Sequence, residues 1–164
     1  MYIIRTVVTA LAFCTTGNSL KAEHFSYGDT KTANVRDEQF RGQYCRISVY
    51  GPTGGSFVKG NYDEPNGVLK IDVDRMSYLE VSGRARKVVI AFVDRSSNVN
   101  LANLSIGAGG VEIHRVRRSK VDIGQCEGLA TIKNVESSSI TLHPGSTVIG
   151  RERLTDGAQV FFEE

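Results

Sequence analysis

The chain has 164 residues, of which 40% are hydrophobic and 23% are charged, and its formal net charge is +2. This length accommodates one domain, and so small a net charge gives no reason to expect a nucleic-acid partner. No apolar run reaches the ~18 residues that a membrane-spanning helix needs. The composition therefore indicates a single globular domain without a membrane span.

Residues 1–22 have the pattern of a secretory signal peptide. Arg5 precedes the apolar, uncharged residues 6–16, and Ala22 is the small residue that a signal peptidase site requires. A buried N-terminal strand or helix is the alternative. Because Arg5 and Lys21 are the only charged residues of this leader, its removal would reduce 20 basic side chains to 18, against 18 acidic ones. We expect a secreted or periplasmic protein.

A pattern of about 20 residues recurs four times in the central part of the chain. Each copy begins with a valine, continues with polar residues rich in serine, and ends in a short stretch of alternating apolar residues. The starting valines are Val73, Val93, Val116 and Val135. A unit of this size cannot bury its apolar face alone, whereas stacked units bury a continuous core. The repeat therefore predicts stacked coils, with a repeat core at 68–150.

Stacking places equivalent side chains in columns, about 4.8 Å apart. Two inward columns are predicted, Leu79–Val99–Val121–Ile140 and Val81–Leu101–Ile123–Leu142. A second strand in each unit alternates through the pairs Val88/Ile90, Val111/Ile113, Ala130/Ile132 and Thr147/Ile149. We predict an all-β fold, a single-stranded right-handed parallel β-helix (β-solenoid) of about four coils. An antiparallel β-sandwich, whose strands recur about every 8–12 residues, is the alternative.

The β-solenoid domain is expected to span residues 43–164, with a cap at each end. Residues 23–42 are polar, lack periodicity and are predicted to be a flexible lead-in. Residues 43–60 are interpreted as an N-terminal strand pair or cap, and residues 158–164 as a closing strand in which Phe161 or Phe162 covers the last coil. Caps are expected because an open coil exposes unpaired strand edges.

The repeated turns, of the type Val-Asp-x-x-Ser-x-Val-x-Leu, resemble those of short bacterial right-handed parallel β-helix proteins. The resemblance covers residues 73–150, nearly half of the chain. The larger members of that class include polysaccharide lyases, pectin-active esterases, adhesins and phage tailspikes. This chain is much shorter and matches no catalytic motif of the enzymes, so the resemblance implies a fold and no functional residue.

Cys45 and Cys126 remain after removal of the leader, an even number in an oxidising compartment. This predicts a disulfide between them, with two separate buried thiols as the alternative. The cysteines and histidines show no metal-binding spacing, and the chain contains no phosphate loop or nucleophile motif. We therefore expect no metal and no other cofactor, and we assign no catalytic residue.

A row of arginines follows the starting valines. Arg75, Arg95 and Arg118 occupy one column, which ends at Ser137, and beside it run Asp74, Asp94, Arg117 and Glu136. Arginines at coil spacing suit a sulfated or carboxylated polysaccharide, because each guanidinium binds an anionic group through two hydrogen bonds. These four arginines are the candidate binding residues. The alternative is ordinary surface ion pairing with the neighbouring aspartates.

An outward polar column is also expected, formed by Glu80, Asn100, Asp122 and Thr141. Glu80 and Asp122 would lie two coils apart, about 9.6 Å along the axis. This is close to the carboxylate separation of inverting glycosidases. Glu80, Asn100 and Asp122 are therefore candidates for an acidic active face, with a solvated sheet face as the alternative.

Three functional hypotheses follow. The first is a non-catalytic structural or binding module of the cell envelope, with extracellular or envelope polysaccharide of acidic type as its partner. The second is a polysaccharide-active lyase or hydrolase that uses the outward acidic face. The third is an envelope subunit that self-associates end to end through an incompletely capped coil.

Overall fold

The computed structural model describes residues 21–28, 35–51, 55–143, 146–151, 154–155 and 157–162. Within these ranges the chain is all β, and no helix is found that would be long and apolar enough to cross a membrane. The strands are β1 (Ala22–Gly28), β2 (Val35–Phe40), β3 (Tyr44–Tyr50), β4 (Phe57–Asp74), β5 (Tyr78–Val93), β6 (Asn98–Leu101), β7 (Leu104–Arg117), β8 (Lys120–Ile123), β9 (Leu129–Glu136), β10 (Ser139–Leu142), β11 (Thr147–Arg151), β12 (Leu154–Thr155) and β13 (Gln159–Phe162).

All pairings between these strands are parallel, and they form three stacks. The first stack contains the starts of β4 and β5, followed by β6, β8, β10 and β13. The second contains the end of β2, the middle parts of β4 and β5, and the start of β7. The third contains β1, β3, the ends of β4, β5 and β7, and then β9, β11 and β12. The fold is thus a β-solenoid, as predicted, and not an antiparallel sandwich; it has about six turns rather than four.

The predicted repeat register is confirmed by the strand pairing. The starting valines lie on one another in the third stack, in the order Val73, Val93, Val116 and Val135. The first stack contains the predicted column of fully buried side chains, Leu79, Val99, Val121 and Ile140. The predicted alignment is wrong by one residue in β11. Thr147 was expected to lie on Ala130, but Val148 does so.

The solenoid begins earlier than the repeat indicated. Val49 of β3 lies beneath Val73, and Tyr27 of β1 lies beneath Val49, so both strands continue the valine column. The predicted flexible lead-in at 23–42 is therefore wrong for β1 and β2, which belong to the sheet. Residues 44–50 and 57–60 are likewise regular strands, which fits the strand-pair interpretation of residues 43–60 rather than a separate cap. The first of these turns departs from the repeat because Tyr27 replaces the valine in β1.

Aromatic side chains pack at the N-terminal end of the solenoid. The ring of Phe40 lies edge to face against Phe25 and Tyr27, with centroid separations of 5.2 Å and 6.4 Å. At the other end β13 pairs with β10 as the predicted closing strand. Phe161 is 48% exposed and does not cover the last coil, whereas Val160 packs against the core. The side chain of Phe162 lies outside the described residues.

The predicted disulfide between Cys45 and Cys126 is absent, and both thiols are free. Cys126 lies just before β9, four strands along the third stack from Cys45 in β3. The strand pairing runs from Cys45 through Leu69, Val88 and Val111 to Ala130 of β9. Four strand spacings amount to roughly 19 Å, well beyond the ~7 Å between Cα atoms that a disulfide can span. Burial raises the pKa of the Cys45 thiol to about 12 and also raises that of Cys126, so neither is a reactive thiolate.

A ladder of serines joins the turns between the third and the first stack. Each backbone N–H donates to the hydroxyl oxygen of the serine one turn further on, at 3.0–3.2 Å. The members are Ser56, Ser77, Ser97, Ser119 and Ser138. Four of the five serines are buried, all except Ser119. The hydroxyls of Ser77 and Ser97 therefore satisfy buried backbone donors, which need a partner within the protein.

We expect Ser97→Ala to destabilise the protein by about 1–3 kcal/mol. The substitution removes the acceptor of the buried Ser77 N–H, and an unsatisfied buried donor carries its full desolvation cost. Urea unfolding followed by circular dichroism measures the loss. Ser105→Ala on an outward position of β7 is the control, with a change within about 0.5 kcal/mol. Equal stability of the two variants would contradict a structural role for the ladder.

Candidate functional site

The predicted arginine row lies at the junction of the third and first stacks. Its members share an unusual backbone conformation, with φ of 60° at Arg75, 55° at Arg95, 47° at Arg118 and 46° at Ser137. We call these four residues the arginine corner. The left-handed region is disfavoured for residues with a Cβ, and residues other than glycine, asparagine and aspartate seldom occupy it. Arginine therefore occurs three times where glycine or asparagine would fit with less strain.

Backbone hydrogen bonds hold the arginine corner in this conformation. The N–H of Met76 donates to the carbonyl of Arg95 at 2.9 Å, and the N–H of Ser96 donates to the carbonyl of Arg118 at 2.8 Å. The N–H of Arg95 also donates to the carboxylate of Asp94. The corner is thus fixed by bonds between successive turns, and the arginine side chains extend outward at a spacing of about 4.8 Å.

Ion pairing occupies part of the arginine row. Asp74 lies 4.0 Å from the Nε of Arg75 and 3.6 Å from that of Arg95. Asp94 pairs through its side chain with Arg115, at 3.7 Å, rather than with a member of the row. The alternative of ordinary ion pairing is therefore realised at Asp74, through long contacts that leave the arginines about half exposed.

The last arginine of the row differs from the first two in its charge pairing. Arg117, which lies beside the row, pairs with Glu136 at 3.3 Å. Arg118 is exposed and makes no ion pair with any residue that the structure describes. It borders a shallow cleft of about 510 Å³ whose other lining residues are almost all polar: Ser96, Ser97, Asn98, Ser119, Lys120, Ser137, Ser138, Ser139, Gly157 and Gln159. A cleft with hydroxyl and cationic groups suits a hydroxylated, anionic ligand.

The predicted acidic column forms, but its carboxylates already have partners. Glu80 lies beneath Asn100, and Asn100 beneath Asp122. Lys59 bonds Glu80 at 2.7 Å and Lys120 bonds Asp122 at 3.2 Å. The hydrogen bond from Lys59 lowers the pKa of Glu80, whereas a glycosidase general acid needs a raised one. This column has the contacts of a paired sheet surface.

The structure also brings together a polar group that the sequence analysis missed. His24, Ser48 and Asp72 occupy successive strands of the third stack, each 24 residues after the last. The Nε2 of His24 lies 2.9 Å from the Ser48 hydroxyl, which donates to Oδ2 of Asp72 at 3.1 Å. Arg46 donates from Nε to the same oxygen at 2.7 Å. The equal spacing was visible in the sequence. It predicts contact between these side chains only if β1 and β3 are already known to be turns of the solenoid.

The order of these contacts differs from that of a catalytic triad. A triad histidine stands between the nucleophile and the carboxylate, whereas here Ser48 stands between His24 and Asp72. Because the serine proton goes to the carboxylate, His24 must donate to the serine oxygen and cannot act as its base. Burial, followed by the positive charge of Arg46, lowers the pKa of His24 and so favours the neutral imidazole. The group therefore positions Asp72 and does not activate Ser48.

No set of three or more histidine, cysteine or carboxylate side chains in the described part of the chain has the arrangement of a metal site. The chain matches no protein family, no curated protein and no solved structure at a significant level.

Proposed function

We propose that this chain is a non-catalytic β-solenoid that binds acidic polysaccharide along the arginine corner. The observation that carries the proposal is the left-handed backbone at Arg75, Arg95 and Arg118. Strained backbone conformations concentrate at functional sites, because they persist where the surrounding structure maintains them. Here they align three guanidinium groups along the axis of the solenoid.

Spacing and charge support a polymeric, anionic ligand. The row repeats about every 4.8 Å, so successive acidic sugars of an extended chain can meet successive arginines. The row leads to Arg118, which has no carboxylate partner among the described residues, and to the serine-rich cleft beside it. Guanidinium groups bind sulfate and carboxylate through paired, charge-assisted hydrogen bonds.

We further propose that the protein acts as a structural or binding component of the cell envelope, in the periplasm or outside the cell. The signal-peptide pattern of residues 1–22, which lie almost entirely outside the described part of the chain, supports this location. A rigid solenoid suits such a role, because its stacked strands keep a row of side chains at a constant spacing over several turns.

The test is a triple substitution of Arg75, Arg95 and Arg118 by asparagine, which tolerates positive φ and so keeps the corner folded. With heparin and polygalacturonate as probes, wild-type binding is expected to weaken as salt rises. The triple variant is expected to lose about tenfold or more in affinity. Isothermal titration calorimetry at 50 mM and 300 mM salt measures both effects.

A charge-matched control distinguishes binding at the arginine corner from nonspecific attraction between a cationic protein surface and an anionic polysaccharide. Lys70, Arg84 and Arg86 are exposed cations outside the corner, and their triple substitution by asparagine removes the same charge. We expect this control to keep affinity within about threefold of the wild type, since rim charges act mainly through long-range steering. Equal losses in the two triple variants, or no binding by the wild type, would refute the proposal.

A further inference from the structure

A second cavity, of about 280 Å³, lies on the outer surface of the third stack next to the arginine corner. Two aromatic rings, Tyr50 and Phe92, form part of its walls. The remaining lining residues are Val49, Ser48, Asp72, Asp74, Arg46 and Arg75. Since Arg75 also belongs to the arginine corner, the cavity adjoins one end of the arginine row, and the serine-rich cleft borders the other end at Arg118.

Asp72 in this cavity has an unsatisfied oxygen. The side chain is only 4% exposed, and its Oδ2 accepts hydrogen bonds from Arg46 and Ser48. Its Oδ1 is buried and has no hydrogen-bond partner among the described residues. A buried carboxylate oxygen without a donor destabilises the protein. A hydrogen bond donated by a ligand at this position would remove that cost and so favour binding.

The two rings are held in place by their own contacts. The hydroxyl of Tyr50 lies 3.1 Å from the hydroxyl of Ser26, and the guanidinium of Arg115 lies over the ring of Phe92, 5.5 Å from its centroid. Tyr50 is nevertheless 45% exposed, so part of its surface is available to a ligand. Apolar walls with a few fixed polar groups are typical of small-molecule sites.

We propose that this cavity binds a single uncharged, hydroxyl-bearing sugar ring, whose hydroxyl groups donate to Asp72. Two guanidinium groups and two carboxylates line it, so the site has no excess charge and favours hydroxyl groups over a free ion. The volume accommodates about one sugar ring. The inference deepens the proposed function: the arginine row attracts the acidic part of a polysaccharide, and the Asp72 cavity selects a neutral sugar of the same chain.

The test uses ligand-observed NMR with cellobiose, maltose, lactose and N,N′-diacetylchitobiose as probes, in 0.5 M NaCl to suppress binding through the arginine row. At least one probe is expected to bind at millimolar concentration or below. Asp72→Asn and Tyr50→Ala are each expected to weaken that binding about tenfold or more, because they remove the charged acceptor and the exposed ring. Tyr44→Ala is the matched control, since Tyr44 is similarly exposed on the same strand but does not line the cavity.

The two proposals fail separately. Arg95→Asn/Arg118→Asn alters the row but not the cavity, so it is expected to keep neutral-sugar binding while it weakens heparin binding. Tyr50→Ala is expected to keep heparin binding while it weakens neutral-sugar binding. Binding of none of the four probes, binding that Asp72→Asn and Tyr50→Ala leave unchanged, or a crystal soaked with the probes that shows only a water on Asp72 would overturn the inference.

Discussion

Val121→Asp is expected to unfold the protein. Val121 is fully buried in the first stack, between Val99 of the preceding turn and Ile140 of the next. An aspartate there would lie among aliphatic side chains with no donor or cation within the column. An unpaired buried charge costs several kcal/mol, and most domains have only about 5–15 kcal/mol of stability in total. Circular dichroism and gel filtration of the purified variant measure the loss.

Ser139→Asp is the control for the new charge. Ser139 lies on an outward position of β10 and pairs with Lys120 of β8, so the introduced carboxylate meets solvent and a lysine. We expect this variant to fold with wild-type stability to within about 1 kcal/mol. A folded, soluble Val121→Asp protein would mean that the inward column of the first stack is assigned to the wrong residues.

The central turns could be predicted because their residues follow one rule in every copy. Leu79, Val99, Val121 and Ile140 alternate with polar residues, and strand alternation is visible without any knowledge of pairing. The first turns broke this rule. Tyr27 stands where later turns have valine. Val49 is followed by Tyr50 and a glycine-rich stretch rather than by the charged and serine-rich residues of the later turns, so neither turn shows the repeated pattern.

Side-chain roles were harder to predict than strand positions. The recurrence of Ser77, Ser97 and Ser119 was visible, but the donors that these hydroxyls satisfy belong to other turns, and their identity depends on the exact register. The same holds for Asp72, whose partners Arg46 and Ser48 lie one turn away. In a solenoid, neighbours in space are a full turn apart in sequence, so a local pattern reveals which residues face inward but not what faces them.

Arg46→Ala is expected to destabilise the protein by about 2–3 kcal/mol. Arg46 is the cationic partner of the buried Asp72 carboxylate. Removing one member of a buried pair leaves an uncompensated charge, which costs about 3–5 kcal/mol when both members are buried. Here the loss is smaller, because Arg46 is 48% exposed and water takes over part of its role. Chemical denaturation at pH 7 measures the change.

A double-mutant cycle identifies the origin of this loss. Arg46→Ala combined with Asp72→Asn removes both charges, so the double variant is expected to regain more than half of the stability lost in Arg46→Ala. Arg84→Ala is the comparison at the surface, where both members of the Arg84–Asp63 pair are exposed and solvent screens their attraction; we expect almost no change there. If Arg46→Ala were as harmless as Arg84→Ala, the Asp72 carboxylate would not be buried as the structure shows, and the acceptor of the proposed sugar cavity would be lost with it.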